Sequence, residues 1–191
     1  MNGKSILIII LAITCEVYSQ TNLAYDSNNT ITERLLSSYF TVGVGRTSKY
    51  LNFGAGLFFP LEKSILIGLR ANINTELDAF PGKVPLENIW DINLTVEYVP
   101  LISERIILLV GGGAGYSRAA KRGDFIGYKL VTAEYEEIYS SSISFLGEME
   151  FSLLITENLG INIIGYTLYA DNRTFLNYQL GIFLCKILEL Q

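Results

Sequence analysis

The sequence of 191 residues predicts an all-β fold: an eight-stranded antiparallel up-and-down β-barrel that spans a membrane. Three observations predict it, namely eight segments of alternating polarity, connections that differ in length at the two ends, and apolar faces that carry almost no charge. Between Ile65 and Asn74, for example, apolar residues recur at every second position, among them Ile67, Leu69 and Ile73. Alternation with a period of two is the pattern of a strand with one apolar and one polar face.

Segments with this pattern follow one another along most of the chain. The predicted strands are residues 39–46, 50–61, 65–74, 90–98, 105–117, 142–155, 159–170 and 174–186. The pattern has exceptions, since Ile164 and Leu168 fall on the polar face and Gly147 and Gly165 fall on the apolar face. An even number of strands predicts a barrel whose two ends of chain lie at the same rim.

The connections support closure into a membrane barrel. Residues 62–63, 100–104 and 156–158 are short connections, whereas 78–89, 118–141 and 171–173 are longer, and only 47–49 departs from this alternation. Short turns at one rim and long loops at the other are typical of barrels in an outer membrane, with the long loops outside.

Charge indicates which face of the sheet is turned outward. A charge on the lipid face near the middle of a bilayer costs about 2 to 4 kcal/mol. The apolar faces carry only Arg46 and Lys186, both at strand ends. We therefore expect Leu94 to face lipid and Glu148 to face the lumen.

The N-terminal residues predict that the protein is exported. Lys4, an apolar run and Ser19 predict a secretory signal peptide over residues 1–19, although a buried N-terminal helix or lipidation at Cys15 are alternatives. Residues 20–38 are expected to form an irregular leader with one helical turn at 33–36, and residues 39–191 to form the barrel domain. The net charge of −5 argues against a nucleic-acid partner.

Over residues 39–186 the pattern resembles the small eight-stranded outer-membrane β-barrel proteins, similar to outer membrane protein X and to the membrane domain of outer membrane protein A. The resemblance implies a monomer in the outer membrane of a Gram-negative cell. It also implies a lumen that is filled by side chains rather than an open channel. The aromatic residues expected to fill it are Tyr39, Tyr50, Phe58, Tyr166, Phe175 and Phe183.

The polar face contains four charged residues that should share one band of the lumen. These are Arg70, Glu97, Glu148 and Glu150. Because an isolated charge there is costly, we expect Arg70 to pair with at least one glutamate. The main prediction is a salt-bridge network that fixes the barrel, and the alternative is a gate or proton-sensitive latch.

The longest connection, residues 118–141, is a candidate interaction surface. Its basic and aromatic residues include Arg118, Lys121, Arg122, Tyr128 and Tyr135. Function tends to reside on loops held by a rigid scaffold, so the predicted partners are an extracellular or host surface, or lipopolysaccharide phosphates. The alternative is a solvated loop that extends its two flanking strands beyond the membrane.

The absence of histidine excludes several kinds of chemistry. Serine–histidine and cysteine–histidine pairs and histidine-bearing zinc motifs cannot form. Gly111, Gly112, Gly113 and Gly115 do not match a phosphate-binding loop. We expect no enzyme activity, metal or cofactor, and a structural or surface-interaction role. The alternatives are a secreted lipocalin-like barrel that binds an apolar ligand, or an accessory subunit of an envelope secretion complex.

Overall fold

A computed structural model describes residues 33–47, 49–77, 83–130 and 132–190, so the expected signal peptide and most of the expected leader lie outside the described residues. In this part of the chain no helix is long and apolar enough to cross a membrane. The strands described are β1 (Glu33–Arg46), β2 (Tyr50–Glu62), β3 (Ile65–Glu76), β4 (Lys83–Val84), β5 (Asn88–Ile102), β6 (Ile106–Lys129), β7 (Thr132–Leu154), β8 (Leu159–Ala170) and β9 (Arg173–Leu190).

Eight of these strands form one closed antiparallel sheet. Each pairs with its neighbours in the chain, β1 pairs with β9, and β7 pairs with β8, which closes the barrel. The remaining strand, β4, is short and pairs in parallel with β7, with Lys83 opposite Ala133. The predicted eight-stranded antiparallel up-and-down barrel is confirmed.

The predicted polarity of the sheet is confirmed as well. Leu94, Ile163 and Leu180 are 56%, 54% and 66% exposed, whereas Asn72 and Glu148 are 1% and 7% exposed. Apolar side chains on the outside and polar side chains within are the arrangement of a transmembrane barrel. The alternative of a lipocalin-like soluble barrel is therefore wrong, because it requires an apolar interior.

The chain departs from the prediction at the start of β1. The strand begins at Glu33, and Leu36 pairs with Ile187 of β9, so the helical turn predicted at 33–36 is wrong. A register shift between Leu36 and Ser38 interrupts the alternation there. An irregularity of this kind removes the period-two signal while the backbone stays paired.

The largest departure is a hairpin that extends two barrel strands. Residues 118–129 of β6 and 132–141 of β7 were predicted as a loop, but they pair with each other up to Lys129 and Thr132. At about 3.3 Å per residue, the β6 arm adds roughly 40 Å of strand beyond the apolar band. The extension of the two flanking strands, which one of the two interpretations predicted, is confirmed.

Another connection at the same rim is shorter than predicted. Asp171 and Asn172 join β8 to β9 with φ values of 54° and 57°. Two successive residues with positive φ form the type I′ turn that suits a two-residue hairpin. Long connections at this end, called the loop rim below, are thus the β3–β5 segment and the β6–β7 hairpin.

The lumen is packed in layers. Near the short turns, at the turn rim, Tyr39 contacts Phe58 and Phe183 with ring centroids 5.9 and 5.1 Å apart. The predicted aromatic fillers are buried, apart from Tyr50, which is half-buried. Glycine provides the space: a Cβ at Gly56 would lie 2.5 Å from the Phe58 ring and 2.9 Å from the Arg70 guanidinium.

Candidate functional site

Arg70 lies at the centre of the polar layer in the lumen and is fully buried. Its Nε lies 3.2 Å from Oε2 of Glu148, and its Nη2 donates to Oε1 of Gln179 at 3.3 Å. These three residues belong to β3, β7 and β9, so one guanidinium connects three parts of the barrel wall. Arg70 is the only buried cation among the residues whose side-chain burial the structure describes.

Glu97 lies beside this pair. It is opposite Gly111 on β6, and Gly111 is in turn opposite Glu148 on β7. A Cβ at Gly111 would collide with the Glu97 carboxylate, so the glycine leaves room for two acidic side chains. The structure therefore brings Arg70, Glu148 and Glu97 into one group.

Glu150 belongs to a separate group closer to the turn rim. Its carboxylate accepts hydrogen bonds from the Tyr39 hydroxyl, from Ser152 Oγ at 3.0 Å and from Asn162 Nδ2 at 2.5 Å. None of these partners is charged. The single band predicted for the four charged residues is thus divided into an ion-pair group and a neutral hydrogen-bond group.

A third group of buried polar side chains was not predicted as a site. Asp91 accepts from Asn72 Nδ2 at 3.0 Å and from Asn93 Nδ2 at 2.5 Å, and Asn93 accepts from Ser144 at 2.7 Å. All four lie on polar faces of the alternating pattern. That pattern was the available signal, but it gives the face of a residue and not its partner on another strand.

At the loop rim, the hairpin is tied to the barrel by ion pairs. Arg122 contacts both carboxylate oxygens of Glu76, with Nη2 2.6 Å from Oε1, and donates to the carbonyl of Pro85 at 3.4 Å. Lys121 forms an ion pair with Asp171. Two residues predicted for a free interaction surface are therefore engaged within the protein.

These contacts shift the pKa of the acids involved. The hydrogen bond from Arg122 lowers the pKa of Glu76 from its ordinary value of 4.5. Burial would raise the pKa of Asp171, but hydrogen bonds from Lys121 and Ser140 outweigh it and lower that pKa. Both carboxylates are thus held in the ionised form that anchors the hairpin.

A further contact crosses the mouth of the barrel. Glu87, just before β5, accepts a hydrogen bond from the Tyr50 hydroxyl at 3.2 Å and lies 3.5 Å from Arg173 of β9. Counted in either direction around the eight-stranded barrel, β9 is the fourth strand from β5. The contact therefore joins opposite sides of the loop rim.

The outer part of the hairpin exposes apolar and aromatic side chains. Phe125, Tyr128 and Leu130 are 50%, 76% and 96% exposed. The Phe125 ring lies 5.0 Å from that of Tyr128 and 5.5 Å from that of Tyr135. Of the five residues predicted for the loop surface, Arg118 and Tyr128 are exposed, whereas Lys121, Arg122 and Tyr135 are partly buried.

No grouping of three or more histidine, cysteine, aspartate or glutamate residues that could hold a metal occurs in the described ranges. The sequence matches no protein-family model and no curated protein.

Solved structures do match. They include Neisserial surface protein A (10% identity, 80% of this chain and 96% of that chain, TM-score 0.55) and the N-terminal barrel domain of Pseudomonas aeruginosa OprF (13%, 80% and 99%, TM-score 0.52). A third is Ail, the attachment invasion locus protein of Yersinia pestis (13%, 82% and 100%, TM-score 0.51). Identities this low establish similarity of fold alone. The closed barrel, its outward apolar faces and these likenesses together identify the fold as that of the small eight-stranded outer-membrane β-barrels.

Proposed function

We propose that this chain is a non-enzymatic outer-membrane protein whose barrel holds the β6–β7 hairpin outside the cell, where the hairpin binds an extracellular or host-surface partner. One observation carries the proposal: the hairpin extends past the apolar band and exposes Phe125, Ile126, Tyr128 and Leu130, with Leu130 96% exposed. Exposed apolar groups of this size are costly in water and are common at interaction sites.

The anchoring of the hairpin supports a role in recognition. Arg122 and Lys121 join its base to Glu76 and Asp171, which reduces the number of orientations that the tip can adopt. A surface that is already ordered loses less conformational entropy when it binds a partner. The apolar tip residues are therefore presented on a support rather than on a flexible loop.

The filled lumen supports a non-enzymatic role and argues against a general diffusion pore. Arg70, Tyr39 and Tyr166 are at most 1% exposed inside the barrel, and an eight-stranded barrel has room for little besides its own side chains. The buried acids contact Arg70, amides and hydroxyls, and the sequence contains no histidine to serve as a base near neutral pH.

We also propose that the protein is a monomer that reaches the outer membrane through a signal peptide at residues 1–19. Fractionation of cells that express the full chain, followed by electrophoresis of boiled and unboiled samples, tests the location. A folded barrel is expected to migrate differently when it has not been heated. Recovery of the chain in the soluble fraction would contradict the proposal.

The hairpin can be tested with a designed truncation. Replacing residues 123–136 by Asn-Gly leaves Arg122 opposite Glu137, which are paired in the native hairpin, and closes it with a favoured two-residue turn. The variant keeps the ion pairs of Lys121 and Arg122. We expect it to fold with the heat-dependent mobility of the native chain and to lose binding to cultured cells, matrix proteins or lipopolysaccharide.

A second variant tests the exposed side chains separately from the length of the hairpin. The double substitution Tyr128→Ser, Leu130→Ser keeps the hairpin length but removes two exposed side chains, and we expect it to weaken the same binding. Binding that both variants retain would assign recognition elsewhere. If full-length protein binds only other envelope proteins in cross-linking, the alternative role as an accessory subunit is favoured.

A further inference from the structure

Arg118 differs from the other basic residues of the hairpin base. It lies on β6 two residues beyond Tyr116, so both side chains are on the outer face of the sheet, where Tyr116 is 46% exposed. On the neighbouring strands Arg118 is opposite Trp90 and Ser141. This places a cation directly above the band of apolar and aromatic side chains that faces lipid.

The Arg118 side chain is exposed and is held by an aromatic ring. Its guanidinium carbon lies 4.9 Å from the centroid of the Tyr139 ring. Arg118 forms no ion pair with another described residue, in contrast to Lys121 and Arg122. A guanidinium placed over an aromatic face keeps the N–H groups at its edge available for bidentate hydrogen bonds to two oxygens of a phosphate.

The surroundings of Arg118 are polar on one side and apolar on the other. The Tyr116 hydroxyl donates to Ser141 Oγ at 2.8 Å, which leaves the serine proton for another acceptor. Trp90 lies 5.7 Å from the Tyr116 ring, and Ile143, further toward the middle of the barrel, is 67% exposed. Aromatic residues with polar groups at their tips are typical of the membrane interface.

An acidic neighbour is present, but it is engaged by Tyr139. Glu137 lies two residues before Tyr139 on β7, on the side away from the membrane. The hydrogen bond between Tyr139 and the Glu137 carboxylate is the main cause that raises the pKa of Tyr139. The nearby carboxylate is therefore engaged by Tyr139, and none of the ion pairs described above includes Arg118.

We propose that Arg118, with the Ser141 hydroxyl, binds the phosphate of an anionic membrane lipid, whose acyl chains lie along Ile143 and the adjoining apolar face. The charge of the exposed guanidinium and the continuity of the site with the lipid-facing band select a lipid as the occupant. The site is distinct from the hairpin tip, so its failure would leave the proposed recognition role standing.

Trp90 supplies a local probe, because it is the only tryptophan in the sequence and lies opposite Arg118. The full chain is reconstituted in phosphatidylcholine vesicles that contain a minor fraction of lipid with brominated acyl chains, either phosphatidylglycerol or phosphatidylcholine. Bromine quenches tryptophan fluorescence only at short range. The ratio of the two quenching constants reports the preference for the anionic lipid at this position.

We expect brominated phosphatidylglycerol to associate about fivefold more strongly than brominated phosphatidylcholine next to Trp90, as one cation near a membrane surface provides. Arg118→Gln should reduce the ratio to near one. The matched control is Arg46→Gln, an exposed rim arginine on β1, four strands away around the barrel, which should leave the ratio unchanged. Tyr139→Leu should lower the ratio in part, since the ring no longer holds the guanidinium.

Three results would overturn the proposal. The first is equal quenching by the two lipids in the native chain. The second is a preference that persists in Arg118→Gln. The third is a preference that falls as much in Arg46→Gln, because the lipid would then respond to the general charge of the rim. Unaltered heat-dependent mobility of each variant excludes misfolding as the cause of a lost preference.

Discussion

Replacing Arg70 by methionine should destabilise the barrel more than replacing a charged residue that is exposed to water. The variant loses the 3.2 Å contact between Arg70 and Glu148 and the hydrogen bond to Gln179, and both partners stay buried. Removing one member of a buried ion pair costs about 3 to 5 kcal/mol, because the remaining charge is uncompensated. This corresponds to a decrease of roughly 10² to 10⁴-fold in the folding equilibrium constant.

The mouth of the barrel provides a matched control. Arg173 and Glu87 also form an arginine–carboxylate pair, but their side chains are 43% and 19% exposed and 3.5 Å apart. Exposed pairs contribute about 0 to 1 kcal/mol, so Arg173→Met should have a much smaller effect than Arg70→Met. The comparison keeps the substitution the same and contrasts a buried pair with an exposed one.

The assay is urea unfolding in detergent micelles or lipid vesicles, followed by the fluorescence of Trp90 and by gel mobility without heating. Glu148→Gln in the Arg70→Met background should recover part of the lost free energy of unfolding, since the unpaired carboxylate is then neutral. Equal losses for Arg70→Met and Arg173→Met, or no recovery in the double variant, would refute the lumen ion pair as a source of stability.

Three further changes follow from the structure. Leu94→Arg places a charge on the lipid face, where the leucine is 56% exposed, and should lower the free energy of unfolding in vesicles by about 2 to 4 kcal/mol. Tyr39→Phe removes a donor to the buried Glu150 carboxylate and should cost about 1 to 3 kcal/mol in the same titration. Arg122 lowers the pKa of Glu76, so the ionised Glu76 carboxylate should stabilise the fold fully above pH 4.5. This stabilisation should disappear as the pH falls through the lowered pKa. The measurement is the difference in free energy of unfolding between the native chain and Glu76→Gln at each pH.

Each of these expectations has a contrary outcome. Thr75→Arg, at the loop rim, is the control for the lipid face, and a cost equal to that of Leu94→Arg would contradict the depth dependence. A stability difference at Glu76 that grows on acidification has the wrong sign for a depressed pKa. For Tyr39→Phe, unchanged stability would mean that Asn162 and Ser152 suffice to satisfy Glu150.

The sequence predicted the membrane part of the fold well because one physical constraint applies along its length. Every second residue there faces lipid, and β8 begins and ends at the predicted residues, Leu159 and Ala170. Beyond the membrane both faces of a strand can meet water, and the constraint disappears. Lys121 and Arg122 are adjacent, as are Glu136 and Glu137, so the hairpin has no alternating pattern, although its two arms pair along their length with register shifts between Arg122 and Gly127.

The candidate sites were harder to predict than the fold because their contacts cross the lumen. Alternation places Glu148 and Glu150 on the same inner face of β7, yet Glu148 contacts Arg70 of β3 and Glu150 contacts Tyr39 of β1. Strands in a barrel are tilted and staggered, so residues at one level belong to different positions of the pattern on each strand. A difference of two residues on β7 therefore decides whether a carboxylate lies next to a cation or next to neutral donors. Predicting that choice requires the stagger of the closed barrel, which no single strand contains.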